Sequence, residues 1–142
     1  MTIHLERGEQ IATITIDRTH RRNALDLASL EDLHQAVVRC VADGTRAIVL
    51  TGADGHFCAG ADLTELEDVS FTTRLAQVLA HLAAVPVTTV AAIEGSCMGL
   101  GMQLALACDV RVVGASARFA VPVARLGLMV DHWTLTRLAR LW

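Results

Sequence analysis

The feature that most constrains this chain is the segment 87–109, which reads VTTVAAIEGSCMGLGMQLALACD. Its first part, Val87–Ile93, is typical of a buried strand, and Leu100–Ala107 is typical of a buried helix. Three glycines lie in or beside the turn between them: Gly95, Gly99 and Gly101. A strand that runs through glycines into a helix leaves backbone N–H groups unpaired at the helix N-terminus. We therefore predict a turn that can donate hydrogen bonds to an oxyanion.

Strand and helix patterns alternate along the rest of the chain. The predicted strands are Thr2–Arg7, Gln10–Asp17, Ala47–Thr51, Val87–Ile93, Val110–Val113 and Phe119–Val121. Four helices are predicted. The first runs from the N-cap candidate Asp26 to Asp43-Gly44, and the second covers Leu75–Leu82 and is stopped by Pro86. The third covers Leu100–Ala107 and the fourth covers Trp133–Trp142. Because buried apolar strands alternate with helices, the sequence predicts an α/β fold with mostly parallel strand pairing.

The composition is that of a single well-buried domain. Of the 142 residues, 53% are hydrophobic and 19% are charged, which is not the composition of a disordered chain. The formal net charge of −3 gives no reason to expect nucleic acid or a membrane surface as a partner. The first ten residues lack the basic and apolar regions of a secretory signal. The longest uncharged central stretch, Gly95–Cys108, is too short and too glycine-rich for a membrane span.

The cysteines predict neither a metal site nor a disulfide. Cys40, Cys58, Cys97 and Cys108 form no CxxC pair and have no histidine nearby at ligand spacing. Scattered buried thiols are typical of a reducing compartment. We therefore expect a cytoplasmic protein that binds no metal.

The glycine-bearing turn does not match the common nucleotide-binding or hydrolase motifs. Gly99-Leu100-Gly101 lacks the third glycine of GxGxxG and the acidic residue at ribose spacing, and the chain contains no GxxxxGK[ST]. Ser96 lies in EGSCM rather than in a GxSxG nucleophile elbow. Neither a dinucleotide site nor a Ser-His-Asp hydrolase is predicted.

Five motifs, in order, resemble those of the crotonase (enoyl-CoA hydratase/isomerase) superfamily, and the resemblance covers essentially the whole chain. RTHRRNAL (18–25) resembles the family's RPxxxNAL segment, with Thr19 in place of proline. FCAGADL (57–63) and AIEGSCMGLG (92–101) resemble its two oxyanion-hole loops. LALACD (104–109) resembles the end of its central helix, and ARF (117–119) followed by LGL (126–128) resembles the segment after it.

The resemblance implies a fold of repeated ββα units that binds acyl-CoA thioesters, with coenzyme A as part of the substrate and no separate cofactor. By position, the backbone N–H groups of Ala59 and Leu100 would form an oxyanion hole for the thioester oxygen, and the arginines of 18–22 would lie near the CoA phosphates. The implied CoA-binding residues are Arg22, Ala24, Ala59, Gly60, Ala61, Asp62 and Leu100. The residues alone leave a second interpretation open, in which the glycine loops are only tight turns and each arginine belongs to a solvated loop.

Two positions depart from the pattern that the family uses for hydration. The resemblance implies two glutamates that share the acid/base work. The first should stand three residues after Leu100, where this chain has Gln103, and the second should follow Pro122, where it has Val123. Because neither an amide nor valine can take up a proton at neutral pH, the standard hydratase mechanism is contradicted. The expected function is acyl-CoA binding with little hydratase activity.

Asp131 is the remaining candidate for acid/base work. It lies eight residues after Val123, where dienoyl isomerases and some other members of the superfamily place a catalytic aspartate. The alternative is a helix N-cap, and the two roles are compatible. An isomerase or weak hydratase that uses Asp131 is thus a second hypothesis, while His132 and Trp133 are expected to pack against the pocket wall. Gln103 together with LGLMVDHW (126–133) also resembles mycobacterial paralogues regarded as poor or non-catalytic acyl-CoA binders.

The end of the chain predicts a missing segment. Residues 1–142 are interpreted as one crotonase-like acyl-CoA-binding core, truncated at the C-terminus, because the last helical pattern reaches Trp142 without a capping residue. The resemblance implies further C-terminal helices that complete the acyl pocket. With them, it also implies a homo-oligomer, either a trimer or a hexamer.

Overall fold

The structure, a computed structural model, describes residues 1–65 and 68–142. The main sheet has five strands in the order β1-β2-β3-β4-β6: β1 is Ile3–Arg7, β2 is Ile11–Ile16, β3 is Ala47–Gly52, β4 is Thr88–Ile93 and β6 is Val110–Val113. β1 and β2 form the expected antiparallel hairpin, with Ile3 opposite Ile16. The other three pairings are parallel. The predicted α/β class and mostly parallel sheet are therefore confirmed.

A second, smaller sheet lies beside the first and carries the glycine turn. It pairs β5 (Ser96–Met98) with β7 (Arg118–Ala120) in parallel, and an isolated parallel bridge joins Cys58 to Cys97. β5 lies inside the segment that the sequence predicts as a turn. It was missed because its three residues are paired only with residues distant in the chain.

In the part of the chain that the structure describes, four α-helices complete repeats of two strands followed by one helix, as the resemblance implies. They are α1 (Leu27–Ala42), α2 (Val69–Ala84), α3 (Leu100–Ala107) and α4 (His132–Leu141). Helix α1 follows β1 and β2, α3 follows β4 and β5, and α4 follows β6 and β7. In the second repeat, the segment around Cys58 takes the place of the second strand after β3, and it is bridged to Cys97 of the second sheet.

Helix α1 forms for the local reasons that the sequence predicts. Asp26 is its N-cap and accepts a hydrogen bond from the Ser29 N–H at 2.8 Å. The apolar residues on the face of the helix towards the core are buried: Leu30, Leu33, Val37 and Cys40. Helix α3 has a different character, because all of its residues except Gln103 are buried. It is therefore a core helix whose position is determined by packing.

None of the helices in residues 1–65 and 68–142 combines the length and the apolar character needed to cross a membrane. All four cysteines are buried and free.

Candidate functional site

A cavity of about 680 Å³ lies between α2, the N-terminus of α3, the loop 59–61 and the segment 121–131. Its volume is in the usual range for small-molecule sites. Apolar side chains of α2 line one side, among them Phe71, Leu75 and Leu79. The other side carries the backbone of the two predicted loops and a few polar side chains.

Backbone hydrogen bonds hold the two predicted loops together. The Phe57 N–H donates to the Glu94 carbonyl at 2.8 Å, and the Cys58 N–H donates to the Ser96 carbonyl at 2.9 Å. The Met98 N–H returns a bond to the Cys58 carbonyl at 3.0 Å. These bonds bring the segments 57–62 and 94–101 side by side, as the sequence motifs imply.

Two glycines allow this close approach and the turn into α3. Gly99 is the N-cap of α3 and has a φ of 52°, a conformation that favours glycine. Its N–H donates to the Ala120 carbonyl at 2.8 Å, which ties the turn to β7. A Cβ at Gly101 would lie 2.2 Å from the Cys58 carbonyl oxygen, so a side chain there would separate the two loops.

Leu100 supplies the predicted donor that has no acceptor within the described residues. It is the first residue of α3 and lines the cavity. The first N–H groups of a helix have no intrahelical acceptor, and no acceptor is found for the Leu100 N–H within the described residues. The helix dipole adds partial positive charge at this point. A ligand oxygen in the cavity can therefore accept from Leu100.

Ala59, the other predicted donor, already has an acceptor. It also lines the cavity, but its N–H donates to the Arg22 carbonyl at 3.0 Å. Arg22 and Asn23 have positive φ values of 49° and 63°. The buried Asn23 fixes this turn, since its side-chain amide donates to the carbonyls of Ala53 and His56. A ligand oxygen would have to share or replace the Arg22 carbonyl.

The remaining predicted CoA-binding residues divide into two groups. Gly60 and Ala61 line the cavity, whereas Arg22, Ala24 and Asp62 do not. The side chain of Arg22 is exposed.

Asp62 is engaged within the protein. It is paired with Arg18 at 2.8 Å, and Arg18 also reaches Asp26 at 3.1 Å. The hydrogen bond from Arg18, with that from the Thr64 N–H, lowers the pKa of Asp62. Of the 18–22 cluster, Arg18 thus joins two loops within the protein.

Gln103 and Val123 both line the cavity. These are the two positions where the resemblance implies catalytic glutamates, and both lie where a bound ligand could contact them. The Gln103 amide nitrogen donates to Thr134 Oγ1 at 2.9 Å. No carboxylate stands at either position.

Asp131 lines the same cavity and is hydrogen-bonded to a residue that the sequence analysis missed. It occupies the N-cap position of α4, but its side chain makes no capping bond to the backbone. Instead, Thr134 Oγ1 donates to Asp131 Oδ1. Thr134 is only 1% exposed and also lines the cavity. The sequence gives only a weak indication of this hydrogen bond, namely a threonine three residues after an N-cap aspartate.

The expectation that His132 and Trp133 pack against the pocket wall is wrong. Both lie on another face of α4, at a separate cavity of about 430 Å³. The Arg137 guanidinium lies over the Trp133 ring, 4.8 Å from its centroid, and both residues line this second cavity.

Both cysteines beside the site, Cys58 and Cys97, favour the protonated thiol at neutral pH. Burial raises the pKa of Cys58 to about 12, and burial with the neighbouring Cys58 does the same to Cys97. Within the described residues there is no group of three or more histidine, cysteine, aspartate or glutamate residues that could hold a metal ion.

Comparison with known proteins decides the family. A family model described as "Enoyl-CoA hydratase/isomerase" matches residues 6–141. The chain belongs to this family. It is 40% identical over 140 residues to the "Probable enoyl-CoA hydratase echA6" of Mycobacterium tuberculosis (strain CDC 1551 / Oshkosh), a match that covers 98% of this chain and 58% of that protein. It is 37% identical over 136 residues to the "Enoyl-CoA isomerase/hydratase claC" of Penicillium crustosum, covering 84% of this chain and 15% of that protein.

Solved structures confirm the crotonase fold. An enoyl-CoA hydratase/carnithine racemase from Magnetospirillum magneticum superposes with a TM-score of 0.92 at 31% identity, covering 99% of this chain and 56% of that one. An enoyl-CoA hydratase from Thermoplasma volcanium superposes with a TM-score of 0.85 at 28% identity, covering 90% and 54%. The chain thus spans a little more than half the length of these enoyl-CoA hydratase structures.

Proposed function

We propose that this chain is the acyl-CoA-binding core of an enoyl-CoA hydratase/isomerase family protein of fatty-acid metabolism, with little hydratase activity. One observation carries the proposal. Leu100, whose N–H has no acceptor within the described residues, lines the same cavity as Gln103 and Val123. The cavity therefore offers a backbone donor for a thioester oxygen but no carboxylate at either hydratase position.

In the proposed complex, the thioester oxygen accepts a hydrogen bond from the Leu100 N–H. The Ala59 N–H becomes the second donor once its bond to the Arg22 carbonyl is shared or broken. The acyl chain lies against the apolar side chains of α2, where Phe71 and Leu79 are buried. Backbone donors of this kind bind an enolate-like anion more strongly than a neutral carbonyl.

Hydration needs more than these donors. A group must activate water and another must handle the proton at the α-carbon, and each contributes ~10²–10⁴ in rate. Gln103 cannot take up a proton at neutral pH, and Val123 has no polar atom. The proposed protein therefore holds an enoyl-CoA thioester without hydrating it efficiently.

A second candidate function is isomerisation of an enoyl-CoA, or weak hydration, with Asp131 as the acid/base group. The observation that favours it is that Asp131 lines the cavity together with Leu100. Moving a double bond along an acyl chain needs one group to take and return a proton. A single carboxylate near a stabilised enolate is sufficient for that reaction.

The test combines a binding titration with two absorbance assays, using crotonyl-CoA for hydration and a 3-enoyl-CoA for isomerisation. We expect saturable binding of both thioesters and crotonyl-CoA turnover below ~1 s⁻¹, the lower end of the usual enzyme range. Crotonyl-CoA turnover above that value would overturn the proposal that the protein binds acyl-CoA with little hydratase activity. Isomerisation that is lost in Asp131→Asn would support the second candidate. Absence of binding to any acyl-CoA would overturn both.

A further inference from the structure

Three polar side chains form a hydrogen-bonded row along one side of the cavity. Gln103 Nε2 donates to Thr134 Oγ1 at 2.9 Å, and Thr134 Oγ1 donates to Asp131 Oδ1. All three residues line the cavity, although they come from two different helices and the segment before α4. Thr134 is buried, and these are the hydrogen bonds that its side chain makes within the described residues.

The donor and acceptor in each of these two hydrogen bonds follow from the chemistry of the three side chains. An amide nitrogen can only donate, so the Thr134 oxygen is the acceptor in its bond with Gln103. A hydroxyl has a single hydrogen, which is then left for Asp131. Asp131 Oδ1 is thereby held by a charge-assisted bond, while no donor to Oδ2 is found within the described residues.

A carboxylate at position 103 would break this arrangement. An ionised glutamate can only accept hydrogen bonds, so it would compete with Asp131 for the one Thr134 hydrogen. One of the two carboxylates would then lose its donor. Gln103 therefore has a structural effect of its own besides the absence of a hydratase glutamate, because its amide directs the Thr134 hydroxyl towards Asp131.

We propose that Gln103 and Thr134 are positioning residues that hold Asp131 as the single acid/base group for isomerising an enoyl-CoA. This rests on the second candidate function given above. Asp131 removes a proton from C2 of a 3-enoyl thioester, and the electron pair of that C–H bond delocalises into the thioester oxygen. The Leu100 N–H stabilises that oxygen. The same proton then returns at C4, which gives the 2-enoyl thioester with no other reactant.

The test compares kcat and KM for 3-enoyl-CoA isomerisation in matched variants. Thr134→Val removes the hydroxyl but keeps the shape, and Thr134→Ser restores it. Thr136→Val makes the same change on α4 outside the main cavity. Misplacing a reacting group by about 1 Å can cost ~10²-fold, so we expect kcat to fall ~10- to 10²-fold in Thr134→Val and in Gln103→Glu with KM nearly unchanged. Thr134→Ser should recover most of the kcat that Thr134→Val loses, and Thr136→Val should retain the wild-type kcat.

The outcomes separate this inference from the function on which it rests. If Asp131→Asn abolishes isomerisation while Thr134→Val keeps the wild-type kcat, the positioning role is overturned and the isomerase stands. If Gln103→Glu is as active as wild type, the role of the Gln103 amide is overturned. If the wild-type protein binds the thioester but does not isomerise it, both the isomerase and the positioning role fail.

A second measurement tests the hydrogen bond between Gln103 and Thr134 without relying on turnover. The side-chain amide protons of Gln103, observed by NMR, should exchange with solvent more slowly in wild type than in Thr134→Val. Equal exchange rates would show that the bond to Thr134 does not persist in solution, and would overturn the inference whatever the kinetics.

Discussion

The cavity has two sides that are built in different ways. On one side, the donors are backbone N–H groups whose positions depend on the fold itself: Gly99 turns the chain into α3, and Gly101 lets Cys58 approach. On the other side, the chemistry depends on the side chains of Gln103, Val123 and Asp131. The positions of the backbone donors (the backbone side) cannot change without moving two loops. The chemistry of the side chains on the other side (the side-chain side) can change by single substitutions. Binding and catalysis can therefore be separated in this fold.

The largest expected effect comes from changing the side-chain side. Gln103→Glu combined with Val123→Glu places carboxylates at both hydratase positions. If each group contributes at least ~10² in rate, the pair should raise crotonyl-CoA hydration ~10⁴-fold or more. The rate is measured by the loss of enoyl absorbance.

The matched control for that pair is Gln103→Glu with Val123→Gln, which has a side chain of similar size but lacks the second carboxylate. It should give much less activity than the double glutamate variant. A double glutamate variant that binds crotonyl-CoA and hydrates it no faster than wild type would show that the missing carboxylates are not what limits hydration.

The next effect concerns the donor on the backbone side. Leu100→Pro removes one N–H at the first position of α3, where proline is tolerated. Leu100→Ala is the control, because it shortens the side chain and keeps the N–H. Losing one oxyanion donor typically costs ~10²–10³ in rate. We expect that loss of isomerisation rate in the proline variant relative to the alanine variant, and equal rates in the two would contradict a role for this N–H.

Gly101→Ala tests whether the two loops must touch. The new Cβ would meet the Cys58 carbonyl oxygen at 2.2 Å, a backbone atom that cannot rotate away. Overpacking of this kind costs about 3 kcal/mol of unfolding free energy, which denaturant titration measures. Gly44→Ala is the control, because Gly44 has a φ of +77° but no atom within 4 Å of the added Cβ. It should cost only about 1 kcal/mol. Similar losses would contradict a packing role for Gly101.

The smallest effect is the pH dependence of the ion pair between Arg18 and Asp62. Because the pKa of Asp62 is lowered in the folded protein, its ionised form favours folding. The stabilisation is present above the ordinary aspartate pKa of about 3.9 and is lost as the pH falls through the lower folded value. We expect Asp62→Asn to have a lower urea midpoint than wild type at pH 6, with the difference shrinking below about pH 4.

Glu9→Gln serves as the control for that series, since Glu9 is exposed and forms no ion pair within the described residues. It should not reproduce the pH-dependent difference. A difference for Asp62→Asn that persists unchanged in acid would mean that the substitution acts through packing rather than through charge.

The sequence predicts the parts of the fold that local signals determine. Helix α1 was expected to run from the N-cap candidate Asp26 to Asp43-Gly44, and it runs over Leu27–Ala42. The strand, turn and helix of 87–109 were expected from their composition, and α3 occupies Leu100–Ala107 as predicted. Most other boundaries differ by one residue, which is usual where helix and strand ends fray. Helix α2 is the exception, because it begins at Val69, six residues before the first predicted position, Leu75.

The contacts that control the site were not predictable, because they join residues far apart in the chain. The Arg22 carbonyl that accepts from Ala59 lies 37 positions earlier in the sequence, and a backbone acceptor leaves no mark on residue identity. Asp62 pairs with Arg18 across a separation of 44 positions. Thr134 meets Gln103 across 31 positions. Sequence motifs thus located several of the cavity residues but wrongly added Arg22, Ala24 and Asp62. Only the fold revealed which residues are engaged with one another.

In the proposed complex, the N-terminus of α3 holds a thioester carbonyl through the backbone. The most direct measurement is the infrared C=O stretch of an isotopically labelled butyryl-CoA bound to the wild-type protein and to Leu100→Pro. A saturated thioester cannot be hydrated or isomerised, so the spectrum reports binding alone. We predict that the stretch moves to lower frequency on binding to wild type and that much of this shift is absent in Leu100→Pro. A bound thioester whose stretch matches that in free solution, or one that shifts equally in both proteins, would contradict the account.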